Sequence, residues 1–318
     1  MLAKLGRRLL AALITVLAAL LLCFALGQLT PGDAFTALEL DPAITPAELA
    51  HLRAEYLPHQ TLPRRLGAWL AAAVHGDLGV SLDSHRPVLS LLRRRIPASA
   101  ELLGLGWASA WLLGLTLALL PAWLGEAGHR RACRWLAACL HAAASLLTSL
   151  PLGVLAIAAL VWAPVSWLPQ PGAAAPWLPA LVLGLAFLPT VYFQASQALA
   201  DVAQRGFLQQ SRALGFTPAR LWLRHALPNT SDVLVPVASL TISQALIELV
   251  VLEPLLGWPG IGQLSLQAAQ TKDMPVLAAL VLLSSLVVIA ANLASELAQL
   301  WLNPQLRASR RLAAGSGA

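Results

Sequence analysis

Ser211-Arg212-Ala213-Leu214-Gly215-Phe216-Thr217-Pro218-Ala219-Arg220, running on to Arg224-His225-Ala226-Leu227-Pro228-Asn229, reads as helix, tight turn, helix. Gly215 suits the left-handed residue that closes one helix, Thr217 can cap the next, and Pro218 fits its first turn. Pro228 is expected to end the second helix, since it has no N–H to offer. Between Asp201 and Asn229 stand Arg205, Arg212, Arg220 and Arg224 against the single acid Asp201. In a chain otherwise poor in charge, a basic hairpin between apolar segments belongs on the cytoplasmic side of a membrane.

The rest of the composition agrees. Of 318 residues, 58% are hydrophobic and 11% charged, and the mean hydropathy is +0.70. No ordinary soluble domain covers that much apolar surface with water-compatible groups. A helix crossing a bilayer needs about 20 mostly apolar residues. Windows of that kind run from Leu9 to Leu29, Ser99 to Leu124, Leu136 to Trp162, Trp177 to Leu199, Val233 to Leu252 and Val276 to Leu302. They predict an all-α, polytopic membrane protein with six transmembrane helices.

Charge orients the spans. Lys4, Arg7 and Arg8 precede the first, and Arg130, Arg131 and Arg134 follow the second. The hairpin arginines follow the fourth, and Arg307, Arg310 and Arg311 follow the sixth. All these connections are expected in the cytoplasm, with both termini. The opposite loops fit: 163–176 carries no charge, and 253–275 carries only Glu253, Lys272 and Asp273. The segment 30–98 holds seven arginines, but a loop of that length crosses largely regardless of charge. The first apolar run is longer than a signal-peptide core and is expected to remain as a helix.

The expected organisation is a cytoplasmic N-terminus and first span (1–29), an external subdomain (30–98), a five-helix core (99–307) with the cytoplasmic loop 200–230, and a disordered tail (308–318). The external segment contains a plausible amphipathic helix from Pro46 to Tyr56, and Pro97 is expected to start the second span. Cys23, Cys133 and Cys139 read as small buried hydrophobes, and no spacing suggests a disulfide or structural metal. The two lysines, Lys4 and Lys272, lie outside any G-x-x-x-x-G-K-[ST] loop, so the chain lacks the phosphate cradle of a P-loop ATPase. Nucleophile-elbow, H-E-x-x-H and cysteine–histidine patterns are missing too. A membrane enzyme therefore has little support, and no structural metal, cofactor or nucleic-acid partner is expected.

With the hairpin come further pieces in a fixed order. They are Arg7-Arg8-Leu9, Pro31-Gly32-Asp33, Gly76-Asp77-Leu78-Gly79-Val80-Ser81, Arg86-Pro87-Val88, Pro97-Ala98-Ser99 and Trp167-Leu168-Pro169. Beyond the hairpin stand Glu253, Trp258-Pro259-Gly260-Ile261-Gly262, Asp273-Met274-Pro275, Asn292 and Asn303-Pro304-Gln305-Leu306-Arg307. Together they resemble the dipeptide/oligopeptide/nickel family of ABC importer permeases, first-permease type. The resemblance implies the type I permease architecture in a bacterial inner membrane. It also implies a second homologous permease, two cytoplasmic ATPases and an extracytoplasmic solute-binding protein as partners.

On that resemblance the hairpin is the ATPase-coupling loop, with Gln209, Ser211, Arg212, Ala213, Leu214, Gly215, Phe216, Thr217, Arg224 and His225 as its residues. Glu253, Trp258, Pro259, Gly260 and Gly262 carry the second family motif. The sequence departs from the family at Gln209-Gln210-Ser211, where Glu-Ala-Ala is usual, and at Leu214, where a cation precedes the glycine. Gly206-Phe207 replaces an acid and a tyrosine, and Gln194 and Gln197 stand in place of arginines.

Polar groups inside spans are costly toward lipid and natural in a wet passage. Thr241, Gln244 and Glu248 recur at helical spacing on the fifth span and are expected to line the pathway, with Glu248 placed to meet a cationic part of the cargo or to reach water at the outer surface. His141 reads as a packing residue. Gly106, Ala110, Gly114 and Ala118 form a small-residue stripe suited to close helix approach. Short peptides are the expected cargo. The alternatives are nickel or a metal chelate, to which His51, His59, His75 and His85 could contribute, and a secondary transporter using Glu248 as an ion site.

Overall fold

Helices form where the apolar windows lie, because in lipid each backbone N–H and C=O must be satisfied within its own segment. The computed structural model describes residues 2–29, 61–126, 128–162 and 176–302. The Pro31-Gly32-Asp33 and Trp167-Leu168-Pro169 pieces, the 46–56 helix, His51, His59, the uncharged 163–175 stretch, the 303–307 motif and the tail 308–318 lie outside the described residues, as do the side chains of Gln209 and Arg212.

The elements in order are α1 (Leu2–Leu29), α2 (Leu62–Val74), α3 (Val88–Glu126), α4 (Arg130–Thr148), α5 (Leu152–Trp162), α6 (Trp177–Ala203), α7 (Gly206–Ala213), α8 (Pro218–Arg220), α9 (Ser231–Leu255), α10 (Ile261–Gln270) and α11 (Met274–Leu302). Between α8 and α9 the chain stays helical, as a wide π turn at Leu221–Ala226 and a tight 3-10 turn at Leu227–Thr230. Five helical runs are long and apolar enough to cross a membrane: 6–27, 88–126, 177–203, 218–255 and 274–302.

Three expectations about helix ends are corrected. The window Leu136 to Trp162 is not one straight helix: α4 and α5 meet at a bend of 98° and form a sixth span only as a pair. Pro151 explains the bend, since it cannot donate a helical hydrogen bond and disfavours helical backbone at Leu150. Alone, α5 is 11 residues long, about 16 Å of rise against a hydrocarbon layer of about 30 Å. Pro97 does not start the second span; α3 begins at Val88 and runs through it, with Pro97 on an exposed face. Nor does Pro228 end the second arm of the hairpin, because it sits in the 3-10 turn of a continuous run. The preceding π turn, in which the Leu227 N–H donates to the Trp222 carbonyl, re-spaces the ladder around the missing donor.

Two compact units divide the chain, 1–99 with 259–289 and 100–258 with 290–318. In the first, Val16, Leu20 and Phe24 of α1 bury with Leu66 of α2 and Ala278 of α11. Val88 and Leu92 bury with Leu264, Ala268, Val276 and Ala279. The described part of the segment 30–98 thus shares a core with α1 and α11. Asp273 organises its loop. The Ser81 hydroxyl donates to Asp273 Oδ2 over 2.5 Å, while the Ser84 N–H and hydroxyl donate to Ser81 Oγ over 3.1 and 2.9 Å. An isolated antiparallel bridge, Val80 with Pro87, closes the loop. This accounts for the Gly76–Ser81, Arg86–Val88 and Asp273–Pro275 motifs as one tie between a loop and the first turn of α11.

In the second unit α6 is central, packed against α4, α5 and α9. The small-residue stripe marks where α3 approaches it. A β-carbon at Gly106 would come within 2.8 Å of Leu183, and one at Gly114 within 2.7 Å of Val191. His141 packs edge-on to Tyr192 and Phe193, its Nδ1 2.7 Å from the Tyr192 hydroxyl.

Candidate functional site

The hairpin is built from both of its faces. Leu208 of α7, with Leu221, Trp222 and Ala226 of the second arm, is buried in a core shared with Tyr192, Ala195, Leu199 and Val202 of α6. The Ser211 hydroxyl donates to the Phe207 carbonyl over 2.9 Å, and the Leu214 N–H to the Gln210 carbonyl over 3.0 Å. Gly215 then takes a φ of +74°, the left-handed conformation that a β-carbon resists. Thr217 is extended ahead of Pro218, although its side chain makes no capping bond. It is the Thr217 carbonyl that accepts, from the Leu221 N–H at 2.9 Å.

Aromatic stacking closes the turn. The Phe216 ring lies parallel to that of His225, with centroids 5.2 Å apart, and the Arg220 guanidinium carbon is 4.8 Å from the Phe216 centroid. Among the described residues, the buried Trp222 Nε1 and His225 Nε2 have no hydrogen-bond partner. The outward face is apolar and basic: Leu214 is 73% exposed and Leu223 57%, with Ala213, Thr217, Arg220 and Arg224 also exposed. The anchors Leu208, Leu221 and Trp222 escaped the sequence reading, though the run Leu221-Trp222-Leu223 in a basic segment was a visible signal for them.

The three polar residues of the fifth span do not share one environment. Gln244 is exposed and Glu248 half-buried, but Thr241 is fully buried. Its hydroxyl accepts from the indole N–H of Trp107 at 3.0 Å and of Trp111 at 3.3 Å. The same oxygen lies 3.0 Å from both the Val237 and the Ala238 carbonyls, so its own proton is also used. Thr241 is therefore a packing hub, buried where Gln244 is exposed and Glu248 half-buried. Sequence reasoning had no signal that would pair residues 134 positions apart.

The second motif is architectural at one end. The Trp258 N–H donates to the Glu253 carbonyl at 2.8 Å and the Gly257 N–H to the Pro254 carbonyl at 3.3 Å, the paired bonds of a Schellman ending with Gly257 left-handed at φ +66°. Glu253 and Trp258 are buried. Gly260 is the extended residue before α10, Gly262 is buried in that helix, and the Ile261 N–H donates to Ser99 Oγ at 2.7 Å. Pro259 joins the two elements.

Residues 112–308 match the family described as binding-protein-dependent transport system inner membrane component. A Brucella ovis protein named as a peptide permease is 30% identical over 311 residues, covering 94% of this chain and 97% of that protein. The glutathione transport system permease protein of Pectobacterium atrosepticum is 28% identical, with 95% and 97% covered. The dipeptide transport system permease protein of Haemophilus influenzae is 26% identical, with 95% and 98% covered. Among solved structures, the MetNI methionine ABC transporter in inward-facing conformations is similar in fold, with a TM-score of 0.52 at 22% identity over 65% of this chain and 96% of that one.

Proposed function

Because the chain belongs to the family of binding-protein-dependent transport system inner membrane components, we propose that it forms half of the translocation pathway of an ABC importer for short peptides. Membership makes it a multi-pass membrane protein and a transport component, not itself an enzyme, and implies ATPase and binding-protein partners. The second homologous permease, two ATPase subunits and cytoplasmic termini are parts of the proposal. Peptide cargo is inferred from the peptide, dipeptide and glutathione relatives. None of those three relatives is named for nickel.

The observation that carries the coupling role is the hairpin: a turn fixed by Gly215 and the Phe216–His225 stack, bearing an exposed Leu214, Leu223, Arg220 and Arg224. Buried apolar anchors hold one face while apolar and basic side chains project from the other, as docking to a soluble partner requires. The second arm then runs without a break from Pro218 to Leu255. Movement at the hairpin is thereby transmitted along roughly 42 Å of helix, at 1.5 Å per residue, from Arg220 to Glu248. The π and 3-10 turns at Leu221–Thr230 sit between the two as the place where that run can bend. On this account Gln244 and Glu248 face the passage, and Thr241 holds α9 to α3.

Reconstitution tests the assignment. The chain, its partner permease, the ATPases and the binding protein in liposomes should accumulate labelled tripeptide only with internal ATP, and accumulation without the ATPases would favour a secondary carrier instead.

A further inference from the structure

Trp107 and Trp111 have rings 5.6 Å apart, tilted by 39°, and both indole N–H groups are committed to the Thr241 hydroxyl. Both rings remain partly exposed. With their N–H groups engaged, what they offer outward is aromatic surface, which attracts apolar groups, other rings and cations. A helical side chain leans toward the N-terminus of its helix, so Trp107 leans over the turn that carries Gly104. Gly104 is exposed, and a β-carbon there would meet nothing within 4 Å. The open space at Gly104 beside the indole pair is the Gly104 notch.

Along α9, Gln244 and Glu248 follow Thr241 by three and seven residues, about 4.5 and 10.5 Å of rise. We propose that the Trp107–Trp111 surface, the Gly104 notch, Gln244 and Glu248 form a cargo subsite for a peptide with a free amino terminus and an aromatic or bulky apolar side chain. The Glu248 carboxylate takes the ammonium group, the Gln244 amide takes backbone polar groups, and the indoles take the side chain. An extended peptide advances roughly 3.5 Å per residue, so a peptide whose amino group sits at Glu248 brings its second or third side chain to the indoles. This subsite rests on the peptide-import reading above.

The test is competitive uptake of alanyl-alanyl-phenylalanine and tri-alanine by the complete reconstituted importer, with binding protein. Because each variant is compared with the unaltered complex, the selectivity of the binding protein cancels. Trp107→Leu should lower the phenylalanine-to-alanine uptake ratio about three- to tenfold, the size of one aromatic contact, and Trp107→Phe should lower it less. Gly104→Leu fills the notch from a position where a β-carbon is free of contacts, and should lower the ratio in the same direction. If Trp107→Leu is not recovered as an assembled complex, Gly104→Leu decides. An unchanged ratio in the recovered variants overturns the subsite while leaving peptide import standing. Failure of the unaltered complex to import either tripeptide overturns both.

Discussion

His225 lies flat against Phe216, with 7° between the ring planes, and this stack joins the turn of the hairpin to the arm that continues into the membrane. Arg220 covers the same Phe216 ring, so three residues spread over ten positions hold the tip in one shape. A lever transmits force only if its tip does not fold back on itself. On the proposed coupling role, the stack would supply that stiffness beside the backbone bonds from the Phe216 N–H to the Ser211 carbonyl and from the Leu221 N–H to the Thr217 carbonyl.

Phe216→Ala should loosen the tip by about 1 to 2 kcal/mol, the combined size of an aromatic pair and an exposed cation–π contact. Limited trypsinolysis of permeabilised membranes should then cut faster at Arg220 and Arg224. Phe216→Tyr should cut at the original rate, and equal rates for all three proteins would deny the stack its role.

Topology is decided by the bent pair. A reporter active only in the cytoplasm should work when fused after Arg131, Arg212 or Arg307 and fail after Ala173. If α4 and α5 did not cross together, Ala173 would be internal and the hairpin external, where no ATPase could reach it. Activity after Ala173 would therefore remove both the sixth span and the coupling role.

Much of this was readable in the chain, and the exceptions have causes. The apolar windows and the Gly215-Phe216-Thr217-Pro218 turn are local, and each has a local physical meaning. Pro97, Pro151 and Pro228 were harder, because a proline removes one donor without specifying whether the helix ends, bends or re-spaces. Here they gave a continuous helix, a 98° bend and a π-to-3-10 transition. Thr241 misled for a different reason. Helical spacing placed it near Gln244 and Glu248, but burial beneath Trp107 and Trp111 depends on which helix packs against it.

Asp273 should matter to stability more than its place in a short loop between α10 and α11 suggests. It lies 3.4 Å from the Val276 N–H through Oδ1 and accepts the Ser81 hydroxyl through Oδ2, so Asp273→Ala removes a helix cap and leaves a buried hydroxyl group partly unsatisfied. A loss of about 1 to 3 kcal/mol is expected, read as a lower unfolding midpoint in detergent. Ser81→Ala should cost less, and the double variant should fall short of the sum because the two residues share one network.

Water access separates the residues of α9. In a background lacking Cys23, Cys133 and Cys139, cysteines at positions 244 and 248 should react readily with a small water-soluble thiol reagent. Cysteines at 241 and 249, both buried, should react slowly. Glu248→Gln should also depress uptake of a free-amine tripeptide more than of its N-acetylated form, because a carboxylate attracts a cation strongly where screening is weak. Equal effects on both forms would make Glu248 an acid near the outer interface and nothing more.

The coupling role of the hairpin is tested most directly at Gly215, whose φ of +74° asparagine tolerates and valine does not. Gly215→Val should strain the turn by about 1 to 2 kcal/mol or more, while membrane insertion is unaffected because the position lies outside the spans. The measurement is ATPase co-purification together with peptide uptake at matched permease levels. The account predicts that Gly215→Val weakens both and Gly215→Asn preserves both; full ATPase association and uptake in Gly215→Val would contradict it.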